Sequence, residues 1–380
     1  MSDVTELCRQ LIGFQSVNSN VADIFGFMQT YLEHCGFVVR IITFENENNR
    51  KIPNLCATYG EGSPHLLFVG HADVVAAGDA AQWKHPPFAG VVDHDLLYGR
   101  GVADMKGGIA CFMTACEDII ADGQFNGKIT LVISGDEEEP VVEGTKKVLE
   151  KLEQEGQHFD FALVGEPSNP NEMGDEIKIG RRGDIVVHLT SLGQQGHTAY
   201  ASQDTNPVYN LINLLYAMQN DKLDNGNAHF LPSTLQVTTF DVGNGASNVV
   251  PSEAKATIDI RFNSEHTLKD IETWVKTHVQ RAKGAFDIKF EHIGEAFLSP
   301  VNKQISALQK IVTQYTGKTP TFSTSGGTSD ARFVRAYCPV VEYGLTNQTI
   351  HKLNEYEKLS NIEMLYRIYK EFLKYFFDIK

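Results

Sequence analysis

The sequence predicts an α/β fold in which one domain, residues 1–181 and 295–380, is interrupted by a small inserted α+β domain, residues 182–294. Three observations predict it. Short runs rich in branched apolar residues alternate with helical patterns, as in layered α/β proteins with a largely parallel sheet. The pattern switches near Gly183 and resumes after Glu295. Acids and histidines gather just past the ends of predicted strands, where open α/β sheets form ligand sites.

The elements follow in order. Val4, Leu7, Cys8, Leu11 and Ile12 keep helical spacing, as do Ile24, Phe27, Met28, Tyr31, Leu32 and Cys35, with Gly36 at the C-cap position. Strands are expected over 38–44, 66–69, 129–133 and 161–164, and helices over 105–121 and 145–155. In the insert the order is strand 185–190, helix 207–218, strands 235–240 and 256–262, helix 268–282 and strand 286–292. That β-α-β-β-α-β order is ferredoxin-like. Helix 303–315, strand 340–343 and helix 362–377 complete the first domain.

Composition bounds the function. Hydrophobic residues make up 42 % and charged residues 21 %, as in a core-forming globular chain. No apolar run approaches the roughly 18 residues that span a bilayer. The start, MSDVTELCRQLIGFQS, reads as an amphipathic helix rather than a signal peptide. Six scattered cysteines without C-x-x-C fit reduced thiols in the cytoplasm. A net charge of −15 disfavours nucleic acid and acidic membranes as partners, yet leaves room for a small anionic substrate held by local arginines.

Five segments carry the candidate chemistry: HLLFVGHAD (65–73), LLYGRGVADMKGG (96–108), SGDEEEP (134–140), LVGEPS (163–168) and NQTIHKLNE (347–355). Singly, each residue has an ordinary structural reading. Asp104 suits a helix N-cap, Glu137–Glu139 a solvated turn, and His351 a surface loop. Together at strand ends, two histidines and several carboxylates form a ligand set suited to zinc, and carboxylates can bridge two ions. The absence of cysteine from the set argues for an open catalytic site rather than a closed structural one. An amide hydrolase needs one carboxylate to deprotonate water and protonate the leaving amine, and adjacent glutamates can divide ligation from base catalysis. No G-x-S-x-G elbow, H-E-x-x-H, Walker A loop or G-x-G-x-x-G occurs.

At these residues the chain resembles the co-catalytic zinc peptidase and deacylase family. The segments VGHADVV, YGRGVADMKGG, SGDEE, VGEPS and TIHKLNEY carry the resemblance, in order and over nearly the whole chain. It implies a di-zinc catalytic domain with an inserted dimerisation or lid domain, and two zinc ions per subunit for which cobalt or manganese can substitute. By position, His71 and Glu166 hold one ion, and Glu138 and His351 the other. Asp104 bridges them through a residue followed by a cis peptide. Glu137 serves as general base and acid, and Asp73 orients His71.

Weaker motifs bear on substrate: GRRGD (180–184), QGHTAY (195–200), GASNVVP (245–251), IDIRFN (258–263), SGGTSDARF (325–333) and NQTIHK (347–352). They resemble the desuccinylase members more than the deacetylases. They imply hydrolysis of N-succinyl-L,L-diaminopimelate, with Arg181 or Arg182, Arg261, Thr328 and Asn347 binding the substrate. Arginine forks suit its carboxylates. Asn248 and His197 would enter the site of a second subunit in a homodimer, His197 as an oxyanion stabiliser. The rivals are a related deacylase or peptidase, and a metal-binding protein without catalysis. Ala201, Asp184, Ser325 and the extra Glu139 depart from the common pattern at positions where Pro, Ser, Gly and a shorter acidic run are usual. None is a proposed ligand.

Overall fold

Largely buried strands form the middle of the first unit's sheet, and the loops past their ends carry its acids. A computed structural model describes residues 3–45, 49–123, 125–139 and 144–379. Pro140, the end of the acidic segment, lies outside them. The chain divides into two compact units: residues 1–179, 299–323 and 329–380 in one, and residues 180–298 and 324–328 in the other.

Along the chain the main strands are β1 (Val38–Glu45), β2 (Lys51–Gly60), β3 (His65–His71), β4 (Lys128–Ser134), β5 (Phe161–Val164), β6 (Glu176–Lys178), β7 (Gly183–Leu192), β8 (Thr234–Asp241), β9 (Glu253–Phe262), β10 (Ala285–Gly294), β11 (Thr321–Ser323) and β12 (Val340–Glu342). The main helices are α1 (Asp3–Ile12), α2 (Ala22–His34), α3 (Gly107–Ala121), α4 (Gly144–Gln154), α5 (Pro207–Asn220), α6 (Leu268–Arg281), α7 (Lys303–Thr316) and α8 (Leu359–Phe376).

The first unit is built on an eight-stranded sheet of order β1-β2-β4-β3-β5-β12-β6-β11. It is mixed rather than largely parallel. β4, β3, β5 and β12 run parallel to one another, whereas β1/β2, β2/β4 and β12/β6 pair antiparallel. The parallel four therefore point their carboxyl ends to one edge, and His71, Ser134, Val164 and Glu342 end there together. β3 is buried at every position, so it reads as a continuous apolar run without alternation. Phe68 on β3 stacks on Phe112 of α3 with ring centroids 3.9 Å apart, and Tyr369 of α8 meets both edge-on. This aromatic contact anchors the strand that ends at His71.

Strand β2 is absent from the sequence expectation because Pro53 interrupts its pattern. The structure accommodates that proline where β2 pairs only with β1. Pairing with β4 begins at Leu55, so the missing N–H falls on a locally unpaired edge.

The second unit is a four-stranded antiparallel sheet of order β8-β9-β7-β10, the ferredoxin-like order. Ile185, Val187, Leu189, Ile258 and Ile260 pack against Leu211, Leu214 and Met218 of α5 and Ile271 and Val275 of α6. Both helices begin on strong caps: Asn206 before Pro207, and a Thr267–Asp270 capping box. β8 is an edge strand with almost every residue exposed. Among the described residues, no helix is long and apolar enough to cross a membrane.

Candidate metal centre

Each segment delivers its acid or histidine to the carboxyl edge of the parallel strands. His71 is the last residue of β3, directly opposite Ser134 in the register. Its Nδ1 lies 2.9 Å from the carbonyl of Asp73, which holds a proton on Nδ1 and turns Nε2 toward the acids. The sequence reading gave this orienting role to the Asp73 carboxylate, but that group is 3.7 Å from Nδ1. It is committed elsewhere, accepting the backbone N–H groups of Glu137 at 3.2 Å and Glu138 at 2.9 Å. Asp73 thus ties the end of β3 to the acidic loop after β4 and orients His71 through its main chain.

Asp104 sits in a turn between Gly101, which has φ of +85°, and α3. The sequence expectation began the helix at Met105. The structure inserts a tight non-α turn over Val102–Lys106 first, and the Asp104–Met105 peptide is cis. Close packing explains the glycines that follow: a Cβ on Gly108 would stand 2.7 Å from the Gly165 carbonyl oxygen. The turn presents one Asp104 oxygen to each histidine, Oδ1 at 3.0 Å from His71 Nε2 and Oδ2 at 3.3 Å from His351 Nε2. Glu166, two residues past β5, places Oε1 3.6 Å from His71 Nε2. His351, in the loop after β12 with φ of +59°, lies 2.9 Å from Glu138 Oε1.

Two triads have ligand atoms all within 4.8 Å of one another: His71, Asp104 and Glu138, and His71, Glu137 and Glu166. The electrostatics follow from crowding. Burial would pull the His71 imidazole down, but its hydrogen bond to Asp104 and the charges of Glu166 and Glu137 carry it well above its ordinary value. Hydrogen bonds to Asp104 and Glu138 push His351 up to about 10. Burial raises the Glu137 carboxyl well above its usual range, helped by Glu166, Asp330 and Glu138 and opposed by His71. Burial likewise raises Asp73 to about 7. A cluster of this kind holds excess negative charge out of water, which is costly without a compensating cation. Two imidazoles and carboxylates, with one carboxylate spanning both histidines and no cysteine, fit divalent zinc-like ions at an open site.

One contributor escaped the sequence reading. Glu355, fully buried, accepts the N–H groups of Gly101, Ala103 and Asp104 and the guanidinium of Arg100. It lies inside a quoted motif, and its proximity to His351 is the only sequence signal that pointed to it.

The residues expected to bind substrate divide between the units. Asn347 belongs to the first; it is half-buried and its N–H donates to the Asn169 carbonyl at 2.9 Å. The others belong to the second. Arg181 is buried, and its Nη1 donates to the carbonyls of Ser325 and Gly327 at 3.2 and 3.0 Å. Arg182 is half-buried beside Arg261; burial and that neighbouring charge hold its guanidinium below its usual value. Arg261 pairs with Asp259 through a fork at 2.8 and 3.0 Å and with Asp184 at 2.9 Å. Thr328 is half-buried. Asn248 is exposed and accepts the Thr198 N–H at 3.0 Å. His197 is exposed, and its Nδ1 accepts the Ala199 N–H at 3.2 Å, which leaves Nε2 carrying the proton.

Comparison with known proteins agrees with this geometry. The model of peptidase family M20/M25/M40 matches residues 67–375. A curated protein of Rhodospirillum centenum, named succinyl-diaminopimelate desuccinylase, is 43 % identical over 99 % of this chain and 97 % of its own length. One of Ehrlichia canis with the same name is 40 % identical over 99 % of both chains. Among solved structures, an M20 family metallo-carboxypeptidase from Sulfolobus solfataricus superposes with a TM-score of 0.82 at 18 % identity, covering 100 % of both chains. A dinuclear metal-binding M20 peptidase of Bacillus subtilis superposes with a TM-score of 0.71 at 13 % identity, covering 99 % of this chain and 98 % of that one. With the family model matching most of its length and relatives of 40–43 % identity covering nearly all of it, the chain belongs to peptidase family M20/M25/M40.

Proposed function

We propose that this protein hydrolyses N-succinyl-L,L-diaminopimelate to succinate and L,L-diaminopimelate, using two zinc ions per subunit. The observation that carries the reading is near-full-length identity of 40–43 % to relatives that bear the desuccinylase name. His71 and Glu166 would hold one ion and Glu138 and His351 the other, with Asp104 serving both. The chemistry that two divalent ions supply at such a site is Lewis acidity, which polarises an amide carbonyl and makes water more acidic.

The remaining work belongs to side chains. Glu137 takes the proton of the attacking water and delivers it to the departing nitrogen. Its backbone N–H is held by Asp73, and its half-buried side chain stands beside His71 and Glu166, at the centre of the cluster. Arg182, Arg261, Thr328 and Asn347 bind the substrate carboxylates and polar groups. Arg182 is the better candidate of its pair, because Arg181 already donates to two backbone carbonyls. His197 offers a protonated Nε2 to the developing oxyanion, and Asn248 a side-chain amide to the substrate, both from a second copy of the chain. A homodimer is supported by the exposed edge strand β8, with Val237 and Phe240 at its surface, and by exposed Tyr209, Ile212 and Tyr216 on α5. The six free cysteines accord with a cytoplasmic setting.

The test offers the zinc-loaded protein N-succinyl-L,L-diaminopimelate and N-acetylornithine in parallel. Succinate release with little acetate is expected. Acetate as the main product would keep the site and discard the substrate, and no product from either would favour a non-catalytic metal-binding protein.

A further inference from the structure

The turn that carries Asp104 cannot hold itself. Its backbone leaves helical geometry at Asp104 (φ −125°, ψ 92°) and Met105 (φ −133°, ψ 29°), so the usual helical acceptors are lost. Val102 N–H finds the Gly99 carbonyl at 3.2 Å, and Lys106 N–H finds that of Gly101 at 2.8 Å. The N–H groups of Gly101, Ala103 and Asp104 find one side chain instead, Glu355. Its Oε2 accepts from Gly101 at 3.0 Å and from Arg100 Nη1 at 2.7 Å. Its Oε1 accepts from Ala103 at 3.0 Å and Asp104 at 3.4 Å. Both partners of this ion pair are buried, and Arg100 lies over the Trp83 ring at 5.2 Å, so the carboxylate has little freedom.

Glu355 also follows His351 by four residues, in the loop between β12 and α8. The backbone there is tied to the same turn, since Gly99 N–H donates to the Glu355 carbonyl at 3.0 Å. One residue thus links the loop of one proposed histidine ligand to the turn of the shared carboxylate.

We infer that Glu355 is a positioning residue for the metal centre: by holding three backbone amides of the Asp104 turn, it sets where the two Asp104 oxygens stand between His71 and His351. The inference rests on the metal reading of the site. Glu355 touches no reacting atom. Outer groups that orient ligands typically change metal affinity 10–100-fold when altered. A glutamine at this position keeps the shape but turns an NH2 group toward donors, so two of the four hydrogen bonds, both made by the oxygen it replaces, become clashes of like partners.

The experiment titrates cobalt chloride into metal-free, full-length protein and follows the visible absorption of the bound ion. Circular dichroism checks the fold of each variant. Glu355→Gln is expected to stay folded, to bind cobalt about tenfold or more weakly at one or both sites, and to show an altered cobalt spectrum. Its kcat falls while KM changes little. Asp224→Asn serves as control: that buried carboxylate also accepts backbone N–H groups, from Gly226 and Ser233, but in the other unit. It leaves cobalt binding unchanged. A folded Glu355→Gln protein with wild-type affinity and spectrum overturns the inference. Should glutamine prevent folding, Glu355→Asp, which keeps the charge but withdraws it, decides by the same titration: weakened binding supports the role and unchanged binding overturns it. Wild-type protein that binds no cobalt would remove the metal reading itself, a result distinct from either.

Discussion

His351 Nε2 stands 2.9 Å from Glu138 Oε1, although 213 residues separate them in the chain. The contact joins the loop after β12 to the loop after β4, and Asp104 completes it from a third segment at 3.3 Å. If these are ligands of one ion, deleting the imidazole removes that ion preferentially. His351→Ala is expected to lower bound zinc from about two equivalents to about one, by elemental analysis after dialysis, with activity reduced at least 100-fold. Retention of two tightly held equivalents would show that His351 is not a ligand.

Glu137 is a distinct case, because the proposal makes it a proton carrier rather than a ligand. Glu137→Gln is expected to lower kcat by about 10²–10⁴-fold, the range for loss of general acid–base catalysis, with little change in KM or in bound metal. A parallel loss of metal would instead place Glu137 among the ligands, as its proximity to His71 and Glu166 permits.

His65 provides a pH test away from the ligand cluster. Its ring lies between the His158 carbonyl, 2.7 Å from Nδ1, and Thr130 Oγ1, 2.9 Å from Nε2. Burial, with the nearby Lys128 charge, pulls its pKa down to about 4 from 6.5. A base lowered in the folded state binds protons more readily when unfolded. Stability from His65 is therefore complete above about pH 6.5 and is lost as pH falls toward 4. His65→Gln is expected to be less stable at pH 7.5 and to lose less on going to pH 5 than wild type, measured by urea midpoints. Parallel losses in both proteins would refute the assignment.

The thiols yield a chemical prediction. Burial pushes Cys8 and Cys338 up to about 12 and raises Cys56, Cys111 and Cys116 as well; only Cys35 is half-buried, with a pKa of about 11. Since the thiolate is the reactive form, native protein at pH 8 should react slowly with an aromatic disulfide reagent, at Cys35 first, and all six should react in denaturant. Rapid native labelling of two or more thiols would contradict this burial.

Much of the candidate cluster was legible in the sequence for a physical reason. His71, Glu137, Glu138 and Glu166 lie within a few residues of the ends of β3, β4 and β5, and parallel strands bring their carboxyl ends to one edge whatever their order in the chain. The insert was legible because its β-α-β-β-α-β order is carried by ordinary periodicity and strong caps such as Thr267. What was not legible depends on contacts made at long range. Glu355 acts on Gly101 from 254 residues away, and nothing local marks its carboxylate as buried. That Asp73 orients His71 through its carbonyl, while its carboxylate serves Glu137 and Glu138, is a matter of backbone direction. β2 was hidden by Pro53, whose tolerance depends on which neighbour it faces. Arg181 and Arg182 are adjacent and chemically alike, and only the Ser325 and Gly327 carbonyls separate them.

The central claim is that the side chains gathered at the carboxyl edge form a two-metal hydrolytic site. The direct measurement adds zinc stepwise to metal-free protein and follows succinate release from N-succinyl-L,L-diaminopimelate. Negligible turnover is expected without metal, and activity should rise with added zinc and level off by about two equivalents per chain. Full activity in the metal-free protein, or none with two equivalents bound, would contradict it.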